Sequence, residues 1–365
     1  FSIRTIIIAG GVVLGLGFIS ASFVTAKAPW LLWLTYGILG GIGMGLTYST
    51  TIAVSQKWFP DKRGLITGII VASLGLGGVI FTPVVEALIK AFATGVPGQG
   101  ELKSFLVLGF IFLGVCTFCG FFVMDPPKDF VPKNWTPKAN PAISRVSLSP
   151  KEMLKTPQFY LIIISFLLAC MGGLMMINFA KPIAIAKGID NAQAAVGVII
   201  ISLFNSVGRL FWGWVSDKLG RKGTIIVLLG GTAVFSLFVN LASGLFIFVI
   251  IGLIGLFYGG FLSNYPSLTA DYFGPRYMAF NYGIVLLGFG AGAVISSYIA
   301  GYFKNVAATD ISKMFPAFVI ASVAAAVAIV LVLFLKPVKV KGNETPAENI
   351  AEEAAAEEPA ETAQG

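Results

Sequence analysis

The residues with the most chemical character fall in one stretch, 202–223, SLFNSVGRLFWGWVSDKLGRKG. Here a guanidinium, Arg209, interrupts an otherwise apolar helical pattern eight residues before Asp217 and its cluster of charges. At a helical rise of 1.5 Å per residue, Arg209 lies ~12 Å deeper than Asp217. A planar, permanently charged fork of donors in apolar surroundings is suited to gripping a carboxylate through both oxygens. Asn205, one turn earlier on the same face, adds a neutral amide. Catalysis has no comparable candidates. The chain has no histidine, and its spans show no acid–base pair or set of metal ligands. Cys116, Cys119 and Cys170 all lie in apolar sequence without the polar neighbours that metal or redox work needs, and read as packing residues.

Composition dictates the elements that hold such an arginine. Of 365 residues, 56% are hydrophobic and only 12% charged, with 43 glycines and 31 phenylalanines. A soluble domain cannot bury that much apolar surface. Apolar runs of about 20 residues, enough to cross a hydrocarbon core of about 30 Å, recur down the chain. Hydropathy and breakers predict ten spans near 3–25, 29–53, 66–91, 103–124, 158–180, 191–215, 223–243, 245–268, 280–303 and 313–336. The expected fold is an all-α polytopic membrane protein. If odd-numbered spans start in the cytoplasm, 17 Lys and Arg fall on that side, and six (Lys27, Lys90, Lys103, Lys187, Lys304 and Lys313) on the other. The positive-inside rule selects this orientation, in a prokaryotic plasma (inner) membrane. The net charge of +8 is mostly this bias, so no nucleic-acid partner is expected.

Residues 125–157, DPPKDFVPKNWTPKANPAISRVSLSPKEMLKTP, are proline-rich and basic. They read as a cytoplasmic linker between an N-terminal helical half, 1–124, and a C-terminal six-helix half, 158–336. From 337 to 365 the chain becomes a low-complexity acidic cytoplasmic tail, AEEAAAEEPAETAQ, with nothing to bury, and disorder is expected. An internal repeat at a fixed offset of 215 pairs Gly37 with Gly252, Gly40 with Gly255, Gly45 with Gly260, Pro60 with Pro275 and Gly68 with Gly283. It continues through Gly75 and Gly290, Gly77 and Gly292, Val79 and Val294, and Ile80 and Ile295. Parallel repeats of this kind build many transporters. Spans 158–180 and 191–215 find no partners in the first half. The expectation is therefore twelve spans, the first two preceding Phe1, with TIIIAGG at 5–11 answering TIIVLLGG at 224–231.

The loop GWVSDKLGRK, with Gly213, Asp217, Lys218, Gly220, Arg221 and Lys222, has the spacing G-x-x-x-D-[RK]-x-G-[RK]-[RK]. Gly213 permits close helix approach, and Asp217 can face the positive N-terminus of a neighbouring helix while pairing with the basic residues after it. Such a cluster can hold the cytoplasmic side shut. The loop resembles the one that marks the major facilitator superfamily. WFPDKRG at 58–64, KTPQF at 155–159, LFNSVGRLFWGWVSDKLGR at 203–221 and DYFGPRYMAFNYG at 271–283 are together similar to the oxalate–formate antiporter family, which includes bacterial monocarboxylate (lactate-type) carriers. The similarity extends to about residue 336. It implies the major facilitator fold and secondary transport of a small organic anion.

An arginine at mid-bilayer costs several kcal/mol without a partner or water, and such residues usually line a substrate path. Its alternative is a permanent pair with a buried carboxylate. Along the visible spans the clear acidic candidate is Glu86, whose spacing suits a local pair with Lys90. Arg209 is thus left for an incoming carboxylate. The resemblance implies further site residues. Asn205 stands where animal monocarboxylate carriers place an aspartate, and Phe289 where oxalate carriers place a second cation. Tyr48 and Tyr258 keep pocket aromatics, whereas Leu74, Leu262 and Leu286 replace them. Leu74 and Phe289 are repeat partners, and plain packing is the alternative for both, as it is for the two tyrosines. Asn178 and Asn264 suit either substrate contact or bonds between helices. One cation matches a monocarboxylate such as lactate or pyruvate, and leaves a dianion such as oxalate partly unpaired. The expected protein is a monomeric carrier in the lipid bilayer, working by alternating access without a cofactor. Its mode is anion exchange or proton symport, and an oxalate/formate-type exchanger or a carrier of another organic anion is the alternative.

Overall fold

A computed structural model describes residues 2–25, 27–93, 98–127, 130, 132, 147–186, 188–239, 241, 242, 244, 246–306 and 311–338. Among these, ten helices are long and apolar enough to cross a membrane. They are α1 (Ile3–Ala21), α2 (Trp33–Trp58, its first turns Trp33–Gly40 wound as π-helix), α3 (Arg63–Phe92) and α4 (Gln99–Phe122). After the short α5 (Pro150–Met153) come α6 (Pro157–Ala186), α7 (Asn191–Leu219), α8 (Arg221–Phe238), α9 (Phe246–Phe273), α10 (Met278–Val306) and α11 (Phe315–Leu333). Each matches one expected span. Several run a few residues past the apolar stretch, because hydropathy falls at the first charge whereas helical hydrogen bonding persists to a breaker. Gly220 and Gly274, at φ +83° and +82°, follow α7 and α9 in the left-handed conformation that glycine adopts without strain. Most of the expected linker and almost all of the expected tail lie outside the described residues.

α1 packs on α2 and α4, and α3 on α4, while α6 to α11 pack among themselves around α6 and α9. α9 is the central element of the second group: of its 28 residues, 21 are buried. Its approach to α7 is backbone on backbone, since a Cβ on Gly259 would fall 2.1 Å from the Asn205 carbonyl oxygen. The residues before α6 are fastened to the turn between α9 and α10. Leu148 N–H donates to the Phe273 carbonyl at 2.9 Å, and Asn281 Nδ2 donates to the Leu148 carbonyl at 3.0 Å.

The two groups meet through α3 against α7 and α9, and through α2 against α10. Their contact is closest at the end that carries the basic loops. There Gly64 lies on Gly213, a Cβ on the former falling 2.3 Å from the latter's carbonyl oxygen. Asp217 accepts from the Gly64 and Leu65 N–H groups, both at 2.9 Å, which are free donors at the start of α3. Arg221 Nη2 reaches Asp217 at 2.6 Å, Arg221 Nε lies 3.5 Å from Asp271, and Arg63 Nη1 binds Asp271 at 3.1 Å. The chain of charges runs from α3 to α9 to the α7–α8 loop and back to α3. Beneath it, Gln56 Nε2 donates to Thr67 at 2.8 Å and to Ser267 at 3.3 Å, tying α2, α3 and α9 together in a buried setting. Gly220 shapes the loop, Lys218 leaves the network to lie 4.0 Å over the Trp214 ring, and Lys222 Nζ donates to the Leu333 and Leu335 carbonyls.

Contact thins away from this end. On α3, Gly68 and Gly75 touch α7, whereas no described residue comes within 4 Å of the place a Cβ on Gly77 would take. On α10, Gly283 faces Ser49 of α2 at 3.9 Å, and Gly290, two turns on, faces open space. Among the described residues, contact between the groups is thus concentrated at the end with the basic loops. Replacing Asp217 by Asn leaves one neutral acceptor where two charge-assisted ones stood, each of those worth ~1.5–3 kcal/mol. Thiol labelling of a buried Ser267→Cys reporter by an impermeant reagent should then accelerate at least tenfold, roughly 1.4 kcal/mol. An unaltered labelling rate would show that the network does not hold this end closed.

Candidate functional site

Arg209 lies where α7 crosses α3, two turns inward from the charge network. Its side chain is half-buried and reaches across to the other group of helices. Nη1 donates to the Val71 carbonyl at 2.5 Å, and Nε is buried with no hydrogen-bond partner. Among the described residues no carboxylate pairs with it. Glu86 is exposed and forms no ion pair with Lys90, so the expected local pair is absent.

Two glycines make room for the guanidinium. A Cβ on Gly68 would fall 2.4 Å from the Arg209 carbonyl oxygen. One on Gly75 would fall 2.5 Å from Ser206 Oγ and 3.1 Å from Arg209 Nη1. Asn205, a turn before Arg209, is buried, and its Oδ1 has no partner. This amide oxygen and the free guanidinium nitrogen lie on one helix in an apolar setting. Such orphaned groups cost about 1–3 kcal/mol each until something fills the site.

Aromatic residues complete the surroundings. Tyr258 and Tyr48 are phenols within electrostatic range of Arg209. The Tyr258 ring occupies the space over Gly173 of α6, where a Cβ would fall 1.9 Å from a ring carbon. Tyr48 of α2 lies beside Tyr282 of α10, their centroids 6.3 Å apart at 48°. Phe289 lies 6.1 Å from Phe166 and belongs to the same apolar cluster as Tyr48, Tyr258, Tyr282, Leu262 and Leu286. Leu74 stands outside that cluster and is 45% exposed, although its neighbour Gly75 faces the guanidinium. Asn264 donates to Gly260 at 2.7 Å and to Trp212 at 3.4 Å, fastening α9 to α7, and Asn178 lies far off toward the opposite end of α6.

The expected residues Arg209, Asn205, Tyr48 and Tyr258 are thus brought together on α2, α7 and α9; Phe289 of α10 shares the apolar cluster of the two tyrosines, and Leu74 stands outside it. Sequence reasoning missed four neighbours. The Val71 acceptor is a backbone carbonyl and carries no side-chain signal. Gly75 is legible as part of the repeat but not as the space beside a guanidinium. Ser49 is buried with an unpaired hydroxyl, and Tyr282 is buried beside Tyr48. Tyr282 could have been found, as a phenol inside an apolar span two turns before Phe289. The set offers donors and aromatic walls without a general acid–base pair, and suits holding an anion more than transforming one.

The sequence profile of the Major Facilitator Superfamily matches residues 1–182 and 168–362. The chain is 34% identical over 302 residues to YhjX, an MFS-type transporter of Escherichia coli strain K12, covering 80% of this chain and 70% of that protein. It is 31% identical over 302 residues to the oxalate:formate antiporter of Oxalobacter formigenes, covering 82% and 68%. Monocarboxylate transporter 12 of Xenopus laevis is 27% identical over 327 residues, covering 84% and 69%. In fold, the chain resembles the transporter FucP crystallised in the outward conformation, with a TM-score of 0.68 at 14% identity over 92% of this chain and 83% of that one. The chain belongs to the Major Facilitator Superfamily, and is a multi-pass membrane transporter rather than an enzyme.

Proposed function

We propose that the protein is a secondary carrier of a small monocarboxylate of the lactate or pyruvate type, with Arg209 as its anion-binding group. The observation that carries this reading is the half-buried guanidinium between α3 and α7, with a neutral carbonyl as partner and Nε free. A carboxylate entering there gains two parallel charge-assisted hydrogen bonds and removes a desolvation penalty. Asn205, Tyr48 and Tyr258 supply further polar contacts, and Phe289 an apolar wall. One cation balances one carboxylate. Two of the relatives are named for oxalate:formate exchange and for monocarboxylate transport, whose substrates are likewise small carboxylates.

The two repeat-related groups of helices are the rocking halves. The excess of Lys and Arg at the closed end makes it cytoplasmic in a bacterial inner membrane, so the closed network is the inner gate. Binding neutralises the buried charge and eases passage through an occluded state that the empty carrier reaches less readily. Exchange of one anion for another requires no protonatable group. A symporter would carry its proton on the substrate or on an acid elsewhere.

Uptake of labelled L-lactate and oxalate into proteoliposomes tests this reading. Arg209→Lys, which keeps the charge and loses the fork, should lower kcat/KM for lactate at least 30-fold, about 2 kcal/mol. Equal uptake by the variant would remove bidentate recognition. Phe289→Lys adds a second cation to the aromatic cluster and should raise the oxalate-to-lactate uptake ratio by about 10-fold, the amount roughly 1.4 kcal/mol of better charge pairing yields. An unchanged ratio would show that Phe289 does not face the substrate.

A further inference from the structure

Where the two groups of helices close on each other, α3 and α9 run antiparallel and in register. Arg63 of α3 holds Asp271 of α9 at 3.1 Å, and one turn up α3 and one turn back along α9 the hydroxyls of Thr67 and Ser267 lie 3.5 Å apart. The same step again reaches Val71 and Ser263, both buried. One more reaches Gly75 and Gly259, and a Cβ on either would fall 3.1 Å from a nitrogen of Arg209. At 1.5 Å per residue, a seam of ~18 Å thus joins the charge network to the guanidinium.

The seam is more polar than a permanent seal requires. Gln56 reaches into it from α2, and Gln56, Thr67 and Ser267 are all buried. Gln56 Nε2 donates to Thr67 at 2.8 Å and to Ser267 at 3.3 Å, while its Oε1 is buried with no partner. Thr67 and Ser267 give their own protons to the Arg63 and Ser263 carbonyls, at 2.7 and 3.5 Å, so neither satisfies that oxygen. Apolar side chains of the same shape would hold the helices as well, and the orphaned oxygen is a standing cost of the closed arrangement. Water reaches these groups when α3 and α9 part, and every donor and acceptor among them is then satisfied. The network at the end of the seam is balanced, Arg63 and Arg221 against Asp217 and Asp271, and sets no net charge against a passing anion.

We propose that the seam between α3 and α9 is the inner passage of the transporter, and that Gln56 is a release station on it. With this end closed, the Gln56 amide N–H groups tie α2 to α3 and α9. With it open, the same groups and the hydroxyls of Thr67 and Ser267 line the wall and donate to a carboxylate leaving Arg209. Neutral donors hold an anion less tightly than a guanidinium fork does, so affinity falls along the way out. The opening of the seam stands on its register and its buried polar groups, and the carboxylate that uses it rests on the transport reading above.

Thr67→Cys, Ser263→Cys and Ser267→Cys are introduced one at a time, with Leu268→Cys and Thr269→Cys as buried controls off the seam on α9. Each full chain is placed in phosphatidylcholine nanodiscs, which leave both faces open, and labelling by an impermeant maleimide is followed by mass spectrometry at the substituted position. Adding Asp217→Asn should speed labelling about 10-fold or more at positions 67, 263 and 267, and less than about 2-fold at 268 and 269. Equal acceleration at all five positions would mean local unfolding, and none at 263 a passage that stops short of Arg209; either result overturns the seam. In proteoliposomes Gln56→Glu, which sets a carboxylate against the departing one, should lower kcat for lactate at least about 10-fold, and Gln56→Met about 3-fold. Equilibrium binding of lactate should stay within about 2-fold of the unaltered chain in both, because Arg209 is untouched. Unchanged turnover in either variant, or binding lost in step with turnover, removes the release station. Should the unaltered chain fail to take up lactate, the transport reading falls while the labelling pattern still decides whether the seam opens.

Discussion

A permanent positive charge in an apolar helix must be matched or solvated, and how Arg209 meets that demand organises the molecule around it. Its resident partner is the Val71 carbonyl, a dipole and not a charge. A carbonyl satisfies one donor and leaves the formal charge in place, so the site is structurally tolerable and electrostatically incomplete. What distinguishes it from Arg63 and Arg221 is charge: these pair with the carboxylates of Asp271 and Asp217 a short way along the same interface, although Arg63 Nε also lacks a partner. Two arginines are consumed in holding helices together, and a third is left with unused capacity.

The incomplete site is reachable because the helices beside it approach so closely. α3 lies on α7 along Gly64, Gly68 and Gly75, and α9 lies on α7 through Gly259. Larger residues at these positions would push the helices apart and move the guanidinium away from both Val71 and the phenols. The small residues therefore set the depth and direction of a side chain four or more residues away.

Much of the fold was legible because the membrane imposes a simple rule, that an apolar run of sufficient length becomes a helix that satisfies its own backbone. All ten expected spans correspond to helices. The charged loop was legible because Asp217 and Gly213 have no reason to recur at that spacing in a generic basic loop. Arg209 stood out because its cost in the bilayer is high. Legibility failed where backbone atoms or helix faces decide the outcome. Val71 contributes only its carbonyl, so no residue type marks it. Leu74 and Phe289 are repeat partners, yet Phe289 is covered by α6 through Phe166 and Leu74 is left exposed. Position in a repeat specifies depth along a helix, and the neighbouring helix decides what a side chain at that depth touches.

The bond from Arg209 to Val71 joins the two groups of helices, since α7 belongs to one and α3 to the other. In the proposed reading, one guanidinium nitrogen serves both as a structural tie and as part of a recognition surface. Any ligand that draws it off the carbonyl weakens the closed end, and by thermodynamic reciprocity opening that end changes affinity for the same ligand by an equal free energy. If the proposed carrier works through Arg209, its affinities at the two membrane faces differ by about the strength of one hydrogen bond, and a bias between loading and unloading follows from the anatomy of a single side chain.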